Sequence, residues 1–382
     1  MTDTDVGDAI RNLSPGRRQL LERLMGLQVP AGRRPLAISL FFFSSDPDDR
    51  PSEKYDLVLE CAEVADRAGL HAIWVPERHF DVFGAPYPSP SVLLAAVAAR
   101  TRRIQLRAGS VVLPLRDPLL VAEEWGMLDA ISGQRMGMSL ASGWHADDFV
   151  LDPEAYEDRK DVLLERLATV RALWRGERVT RKGPGGRDVD ISAYPRPDRL
   201  PDVWLTSSVN SATWETAGEL GLHVLTALLE QTVDELGHKV ERYRRALSRA
   251  GHDTHDKQIT CMLHTHLAED ADAVRDRIRQ PLIQYLSTHM RLFEKFARHN
   301  DIGVRPESVS DADRAVLLEH GLRRYTTSAG LFGNAETCRP MIDRLTAAGV
   351  TEVGCLVDFG LPADQVLECV TELGRLQATV AA

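Results

Sequence analysis

The sequence predicts an α/β protein with a parallel sheet, because strand-like apolar runs alternate with segments of helical periodicity. Residues 36–43 are almost continuously apolar, as expected of a strand that is buried on both faces. Residues 52–68 then place apolar side chains at helical spacing, and Gly69 provides a stop signal. Repeated strand-then-helix units imply a parallel sheet that is either closed as a barrel or open and doubly wound.

The same alternation continues along the chain. Further strands are predicted at residues 71–75, 104–113, 135–141 and 203–206, and helices at 91–100, 118–131 and 156–174. No Gly-x-Gly-x-x-Gly stands between a strand and a helix, which weakens a dinucleotide-binding alternative. The Gly- and Pro-rich residues 180–201 predict a surface excursion before the strand at 203–206.

Composition restricts the class of protein. With 382 residues and a net charge of −10, the chain can bury a large core and lacks the basic footprint of nucleic-acid binders. Its acidic start precedes no signal-like apolar region, and no run is apolar enough to span a bilayer. Five scattered cysteines without a Cys-x-x-Cys pair predict a reduced, cytoplasmic protein. The negative net charge predicts no nucleic-acid and no membrane partner.

Small polar residues follow two of the predicted strands. The strand at 135–141 breaks at Ser142-Gly143, where a hydroxyl and a side-chain-free backbone would meet a flat ligand. The strand at 203–206 ends in Ser207 and Ser208, just before a helix that begins near Ser211. Helix N-termini offer free N–H groups and positive partial charge, so this turn predicts a phosphate site; serines that merely cap the helix would look similar.

Several segments together resemble the bacterial luciferase-like flavin-dependent monooxygenases, in the branch that serves natural-product biosynthesis. They are Trp-Val-Pro-Glu-Arg-His-Phe at 74–80, Ala-Gly-Ser-Val-Val-Leu-Pro-Leu at 108–115, and Ala-Ser-Gly-Trp-His at 141–145. The resemblance is strong over residues 36–227 and looser to the C-terminus. It implies a (β/α)8 TIM barrel of the luciferase-like type at residues 35–382. Insertions are expected near 177–201 and 271–325, and a helical linker segment at 1–34.

The resemblance also implies reduced flavin mononucleotide (FMN) as cofactor, delivered by a separate flavin reductase, and oxygen transfer to carbon, nitrogen or next to a carbonyl. The phosphate would lie at Ser207, Ser208 and Ser211. The complete set of implied cofactor-binding residues is Phe41, Ser110, Ala141, Ser142, Gly143, Tyr156, Arg159, Ser207, Ser208 and Ser211.

Catalytic candidates follow the second predicted strand. His79 is the first choice as general acid or base, because an imidazole can move protons near pH 7. Arg78 would stabilise an anionic oxygen or a substrate carbonyl, and Glu77 would orient either of them. His145 is a further candidate. Many family members carry two adjacent histidines where this chain has Arg78-His79, which leaves the identity of the acid open.

Three other functions are alternatives to this one. A metal-dependent hydrolase would use His264 and His266, which share one strand face. They lack a further ligand at convincing spacing, so no metal site is predicted. A non-catalytic flavin-binding protein is disfavoured by the polar residues at 77–79. A deazaflavin-dependent dehydrogenase of the same superfamily is the remaining enzymatic alternative.

Two expectations concern partners. Residues 13–24 contain Leu-Ser-Pro and an apolar helical face, and they resemble linkers between modules of peptide-synthetase assembly lines. A substrate tethered to a carrier protein is therefore one hypothesis, and packing of this segment across the barrel is the other. Related barrels often form homodimers through helices near the fourth strand, which predicts a homodimer here.

Overall fold

The computed structural model describes residues 35–43, 51–81, 83–84, 86–207, 210–229, 231–299 and 311–381. The expected N-terminal segment, residues 1–34, and the predicted phosphate ligand Ser208 therefore lie outside the described residues.

Parallel strands form a closed barrel. Within the described residues the strands are β1 (Ala37–Phe41), β2 (Ala72–Val75), β3 (Gln105–Val112), β4 (Met136–Ala141), β5 (Val179–Lys182), β6 (Asp188–Ile191), β7 (Asp202–Thr206), β8 (His223–Ala227), β9 (Ile259–Leu267), β10 (Gly330–Gly333) and β11 (Glu352–Leu356). The barrel order is β1-β2-β3-β4-β7-β8-β9-β11, and β11 pairs back to β1. The closed alternative is thus confirmed, and the doubly wound alternative is wrong.

Helices surround this barrel. They are α1 (Pro51–Ala68), α2 (Pro90–Arg100), α3 (Pro118–Ser132), α4 (Arg159–Trp174), α5 (Ser211–Glu219), α6 (Val233–Arg249), α7 (Ala271–His299), α8 (Asp311–Arg324), α9 (Ala335–Ala348) and α10 (Ala363–Ala381). None of the helices in the described ranges combines the length and the apolar character that a bilayer crossing requires.

Two stretches depart from the simple repeat. Between α4 and β7, strands β5 and β6 pair as an antiparallel hairpin, which gives the predicted excursion an ordered core. Between β9 and β10 lie the long helices α7 and α8. Strand β8 pairs with the first half of β9, whereas β10 pairs with its last four residues, so β10 takes the place beside β9 toward the strand end.

A buried polar cluster fills the barrel near the start of its strands. The Glu352 carboxylate accepts hydrogen bonds from Trp74 Nε1 at 2.8 Å and Thr260 Oγ1 at 3.0 Å. Its Oε2 atom lies 2.6 Å from Nη1 of Arg107, and Ser39 donates to Oε1 at 2.5 Å. This cluster links β1, β2, β3, β9 and β11 inside the barrel. The polar loops lie at the other end, where the strands finish.

The start of α4 differs from the sequence prediction. The helix begins at Arg159, and Tyr156 belongs to the turn before it. Two short 3₁₀ turns, at Ala146–Leu151 and Pro153–Ala155, come first. The Tyr156 ring packs edge-on against Phe149 of the first turn, with ring centres 5.0 Å apart, and this contact favours a position outside the helix.

Candidate active site

The loops that follow β2, β3, β4 and β7 emerge side by side, because these four strands are neighbours in the barrel and run parallel. In barrels of this type, active sites form at the carboxyl ends of the strands. The sequence-predicted catalytic and cofactor residues come mainly from these loops.

Glu77 is the organising carboxylate of the β2 loop. Its side chain is 1% exposed, and Oε2 accepts the backbone N–H of Val112 at 2.9 Å. Oε1 lies 3.1 Å from His79 Nε2 and 3.5 Å from Arg116 Nη1. A buried carboxylate held in this way fixes the orientation of the His79 imidazole, which keeps partial access to solvent.

Arg116 continues this charged cluster toward the surface. Its Nη2 atom lies 3.5 Å from the Glu124 carboxylate, which in turn accepts a hydrogen bond from the Ser91 hydroxyl. Burial raises the pKa of Glu124, and Glu77 adds to this rise, while Arg116 opposes it. Sequence reasoning gave Arg116 no role in the site, whereas the structure makes it a partner of Glu77.

Arg78 and His145 share a second carboxylate. Arg78 Nη1 lies 3.3 Å from Asp148 Oδ2, and His145 Nδ1 lies 3.2 Å from Asp148 Oδ1. All three side chains are buried. Burial lowers the pKa of Arg78, and the neighbouring Asp148 partly offsets the effect. The four sequence-predicted catalytic residues therefore form two groups. Glu77 and His79 make up the first, and Arg78 and His145 share the Asp148 carboxylate in the second. The groups are adjacent because Glu77 and Arg78 are consecutive in the chain.

Hydroxyl groups meet where β3, β4 and β7 end. Thr206 Oγ1 lies 2.6 Å from Ser139 Oγ and also forms a hydrogen bond with Ser110 Oγ. The carbonyl of Ser110 accepts the backbone N–H of Glu77 at 3.1 Å, which links this group to the β2 loop. Ser110 was predicted as a cofactor residue, whereas its hydrogen-bond partner Thr206 and the neighbouring Ser139 were not singled out.

The exit of β4 combines small residues with close packing. Ala141, Ser142 and Gly143 are each partly exposed. Gly143 has φ +78°, and a Cβ there would lie 2.8 Å from the Phe149 ring, so a larger residue would displace the loop. Arg159 Nε donates to the Gly143 carbonyl at 3.3 Å.

Arg159 and Tyr156 interact as a pair. The guanidinium lies 4.6 Å from the centre of the Tyr156 ring, and its Nη1 atom donates to the Tyr156 carbonyl at 2.7 Å. In the structure these two predicted cofactor residues contact the loop after β4, Arg159 at the Gly143 carbonyl and Tyr156 at the Phe149 ring.

The turn between β7 and α5 is built as a helix start. Asn210 caps α5 by accepting the Ala212 N–H at 3.0 Å, and Ser207 Oγ donates to the Asn210 carbonyl at 3.1 Å. Ser207 N–H donates to the Leu225 carbonyl at 2.9 Å, which holds the turn beside β8. Ser211 is the first residue of α5 and is partly exposed. This is the location at which the positive end of a helix can receive a phosphate.

Phe41 lies deeper than the other predicted cofactor residues. Its ring is 2% exposed and stacks on Trp74 with ring centres 6.2 Å apart. A Cβ at Gly109 would approach the Phe41 ring to 2.7 Å, so the glycine makes room for this ring. Phe41 thus belongs to the packed floor below the loops.

Helix α7 brings residues from the late insertion to the β2 loop. The Phe83 ring lies 5.2 Å from that of Tyr285 and 5.6 Å from that of His289. Tyr285 in turn lies 4.5 Å from His264, whose pKa burial lowers to about 3. The sequence showed these aromatic and imidazole side chains but gave no sign of which loop they contact.

The residues of this end of the barrel fit a flat cofactor that carries a phosphate. Gly143 has no side chain and can offer a flat surface to a ring system. The hydroxyls of Thr206 and its partners can donate hydrogen bonds, and the start of α5 at Ser211 can bind an anion. Within the described residues no cluster of His, Cys, Asp and Glu has the size of a metal site.

Comparison with known proteins gives the family. The family model "luciferase-like monooxygenase" matches residues 36–352. The chain therefore belongs to the luciferase-like monooxygenases, as the sequence motifs indicated.

Two relatives illustrate the range of this family. The oxygenase component of the flavin-dependent trigonelline monooxygenase of Acinetobacter baylyi is 26% identical over 244 residues, which cover 62% of this chain and 66% of that protein. The 4-hydroxyprotoasukamycin monooxygenase of Streptomyces nodosus subsp. asukaensis is 27% identical over 290 residues, covering 73% of this chain and 74% of that protein. The chain thus spans just under two thirds of the first relative's length.

Solved structures share the fold. The oxygenating constituent of 3,6-diketocamphane monooxygenase from Pseudomonas putida, a type II Baeyer–Villiger monooxygenase in complex with FMN, superposes with a TM-score of 0.71 at 19% identity, covering 91% of this chain and 98% of that one. An F420-dependent secondary alcohol dehydrogenase reaches 0.65 at 16% identity, covering 89% and 98%. These similarities establish the barrel fold. They do not distinguish FMN from F420 as the cofactor, because the two neighbours use different ones.

Proposed function

We propose that this chain is an oxygenase that uses reduced FMN and dioxygen to oxygenate an intermediate of secondary metabolism. The observation that carries the proposal is that one end of the barrel holds three features. They are the Glu77–His79 pair at 3.1 Å, the hydrogen-bonded hydroxyls of Thr206 and Ser139, and the start of α5 after β7. Family membership and the flavin-dependent relatives support a flavin as the cofactor.

Three parts of the chain would hold the flavin. The start of α5 with Ser207 and Ser211, together with Ser208, would bind its phosphate. Ala141, Ser142 and Gly143 would lie against the ring system, with Ser110 as a polar contact. Bound reduced flavin supplies the electrons that activate dioxygen, which amino-acid side chains alone cannot do.

The chain's own residues would position the substrate and move protons at the reacting atoms. Glu77 holds His79 in one orientation, so the imidazole can deliver or accept a proton at its partly exposed edge. Arg78 places positive charge at the site for an anionic oxygen or a substrate carbonyl. His145, buried beside the Asp148 carboxylate that also faces Arg78, would be a second proton carrier.

Anaerobic titration followed by an oxygen pulse tests this function. Reduced FMN and reduced coenzyme F420 are titrated separately into the purified chain, and oxygen uptake is then recorded. We expect reduced FMN to bind and its reaction with oxygen to depend on the protein. Binding of F420 without FMN binding would instead support the deazaflavin-dependent dehydrogenase. Flavin binding that leaves the oxygen reaction unchanged would support a non-catalytic flavin-binding protein.

A flavin reductase and a carrier protein are the proposed partners. The trigonelline relative is named as an oxygenase component, which supports reduced flavin arriving from a second protein. A carrier-tethered substrate rests on the natural-product resemblance and on residues 13–24. Deletion of residues 1–26 would weaken use of a carrier-bound substrate while sparing a free mimic. Equal loss with both would assign the segment to the fold.

A second copy of the chain is the third proposed partner. On α3, Leu120, Met127 and Ile131 expose 64%, 53% and 53% of their surface, and Val92 on α2 exposes 70%. An apolar face of this kind suits a self-complementary dimer contact. Met127→Glu should lower the sedimentation coefficient from dimer to monomer, whereas an unchanged value would exclude this face.

A further inference from the structure

One nitrogen of the buried Arg78 side chain has no hydrogen-bond partner among the residues that the structure describes. The residue is 5% exposed, its Nε donates to the Phe83 carbonyl at 3.4 Å, and its Nη1 faces Asp148 at 3.3 Å. Among the described residues no atom accepts a hydrogen bond from Nη2. A buried donor left unpaired is costly, and native proteins usually satisfy it with a ligand or a water molecule.

The chain fixes the direction of this arginine. Gly84 has φ +81°, and a Cβ there would lie 2.6 Å from Arg78 Cγ, so only glycine leaves the arginine stem in place. The backbone N–H of Arg78 donates to the Tyr87 carbonyl at 2.9 Å, which anchors the stem from the other end. A guanidinium held at Nε and Nη1 presents Nη2 in one set direction, because the group is planar.

Two exposed aromatic side chains lie at this site, one in contact with the arginine and the other, Phe80, against the His79 ring with ring centres 5.6 Å apart. Trp144 is 38% exposed, and its ring centre lies 5.6 Å from the Arg78 guanidinium carbon. Phe80, two residues after Arg78, is 66% exposed and has φ +54°. A positive φ is unfavourable for a bulky residue, and an exposed phenyl ring adds little to folding stability. Both rings therefore suit contact with a flat apolar ligand.

Charge selects the ligand atom that would face Nη2. Asp148 already neutralises the Arg78 guanidinium, and the two side chains are 5% (Arg78) and 6% (Asp148) exposed. Burial lowers the pKa of the nearby His289, and Arg78 lowers it further, so this imidazole adds no positive charge at neutral pH. A second carboxylate would bury net negative charge, whereas a carbonyl oxygen accepts a hydrogen bond without adding any.

We propose that Arg78 Nη2, with Phe80 and Trp144, forms a substrate subsite for a neutral carbonyl oxygen on a flat aromatic or conjugated group. This inference rests on the proposed function and narrows the role of Arg78 to the substrate. Ketones, esters and amides of aromatic or conjugated acids are the compounds that present both features.

Two probes of matched shape test the subsite. 2-Acetylnaphthalene and 2-ethylnaphthalene are titrated into the protein loaded with oxidised FMN, which allows binding without turnover. We expect wild type to bind the ketone about tenfold tighter or more, the usual effect of a hydrogen bond from a charged group. In Arg78→Met and Arg78→Lys the two affinities should converge. In Phe80→Ala and Trp144→Ala both should fall together while the ketone preference remains.

Several results would overturn the subsite. They are equal affinity for the two probes in wild type, an intact ketone preference in Arg78→Met, or tighter binding of 2-naphthoate than of the ketone. FMN affinity, measured in the same samples, separates the two proposals. Normal FMN binding without probe binding would refute the subsite alone, whereas failure of FMN to bind would refute the proposed function.

Discussion

The buried ion pair of Arg107 and Glu352 offers the sharpest test of how the barrel is held together. Their side chains are 3% and 2% exposed, and the closest nitrogen and oxygen are 2.6 Å apart. Arg107→Met would leave a buried carboxylate without its cation. Loss of one partner of a buried pair typically costs 3–5 kcal/mol, so we expect the free energy of unfolding to fall by about 4 kcal/mol.

Urea unfolding followed by circular dichroism and tryptophan fluorescence measures this loss, provided that both signals change together. Arg242→Met is the matched control, because Arg242 pairs with Glu215 at 2.9 Å on the surface, with 46% and 35% of the side chains exposed. Exposed pairs contribute at most about 1 kcal/mol, so this variant should remain close to wild type.

A double variant and a pH series complete the test. Arg107→Met combined with Glu352→Leu removes both charges, so it should be less destabilised than Arg107→Met alone. Burial alone would raise the pKa of Glu352, but Arg107 and His71 hold it below its ordinary value. The contribution of the pair is therefore present above the ordinary glutamate pKa and is lost as pH falls through the lowered value. An Arg107→Met variant as stable as wild type at pH 7 would refute the reasoning.

Three further predictions concern the site and its surroundings. Glu77→Gln should slow oxygen transfer to substrate by about 100-fold, because His79 loses its charged partner, while reduced FMN still binds; unchanged product formation would contradict this role. Ser211→Glu should weaken FMN binding by about 100-fold through repulsion of the phosphate, but leave riboflavin binding unaffected, with Ser211→Ala as the mild control; equal loss for both flavins would place the phosphate elsewhere. Burial raises the pKa of Asp358 to about 6, so the contribution of this carboxyl to the free energy of unfolding should fall by roughly 3 kcal/mol as pH rises from about 4 to 6. Asp358→Asn should flatten that part of the pH profile, as thermal unfolding at each pH would show.

Local sequence patterns predicted five of the barrel strands, β1, β2, β3, β4 and β7, for a physical reason. A parallel strand buried on both faces reads as an apolar run, so residues 135–141 predicted β4, Met136–Ala141, to within one residue. Closure into a barrel came from the family resemblance, because periodicity alone allows the open sheet too. The predicted start of α4 was wrong, since the Tyr156 ring packs against Phe149 of the preceding turn, and helical periodicity gives no sign of such a ring contact.

The site was predictable only in part. The catalytic candidates at 77–79 are adjacent in sequence, and the structure places them at one strand end. By contrast, Asp148 lies 70 residues from Arg78, and Thr206 lies 96 residues from Ser110. Pairings of this kind depend on strand order and register. The spacing of His145 and Asp148, three residues apart, was the one local sign of the second carboxylate group.

Hydrogen exchange with and without reduced FMN, measured anaerobically by mass spectrometry, tests the flavin site most directly. Binding should slow exchange at residues 141–143 and 207–213, with smaller protection at 77–79, and leave the hairpin of β5 and β6 unchanged. Protection confined to other segments, or none at saturating flavin, would contradict a flavin site at this end of the barrel.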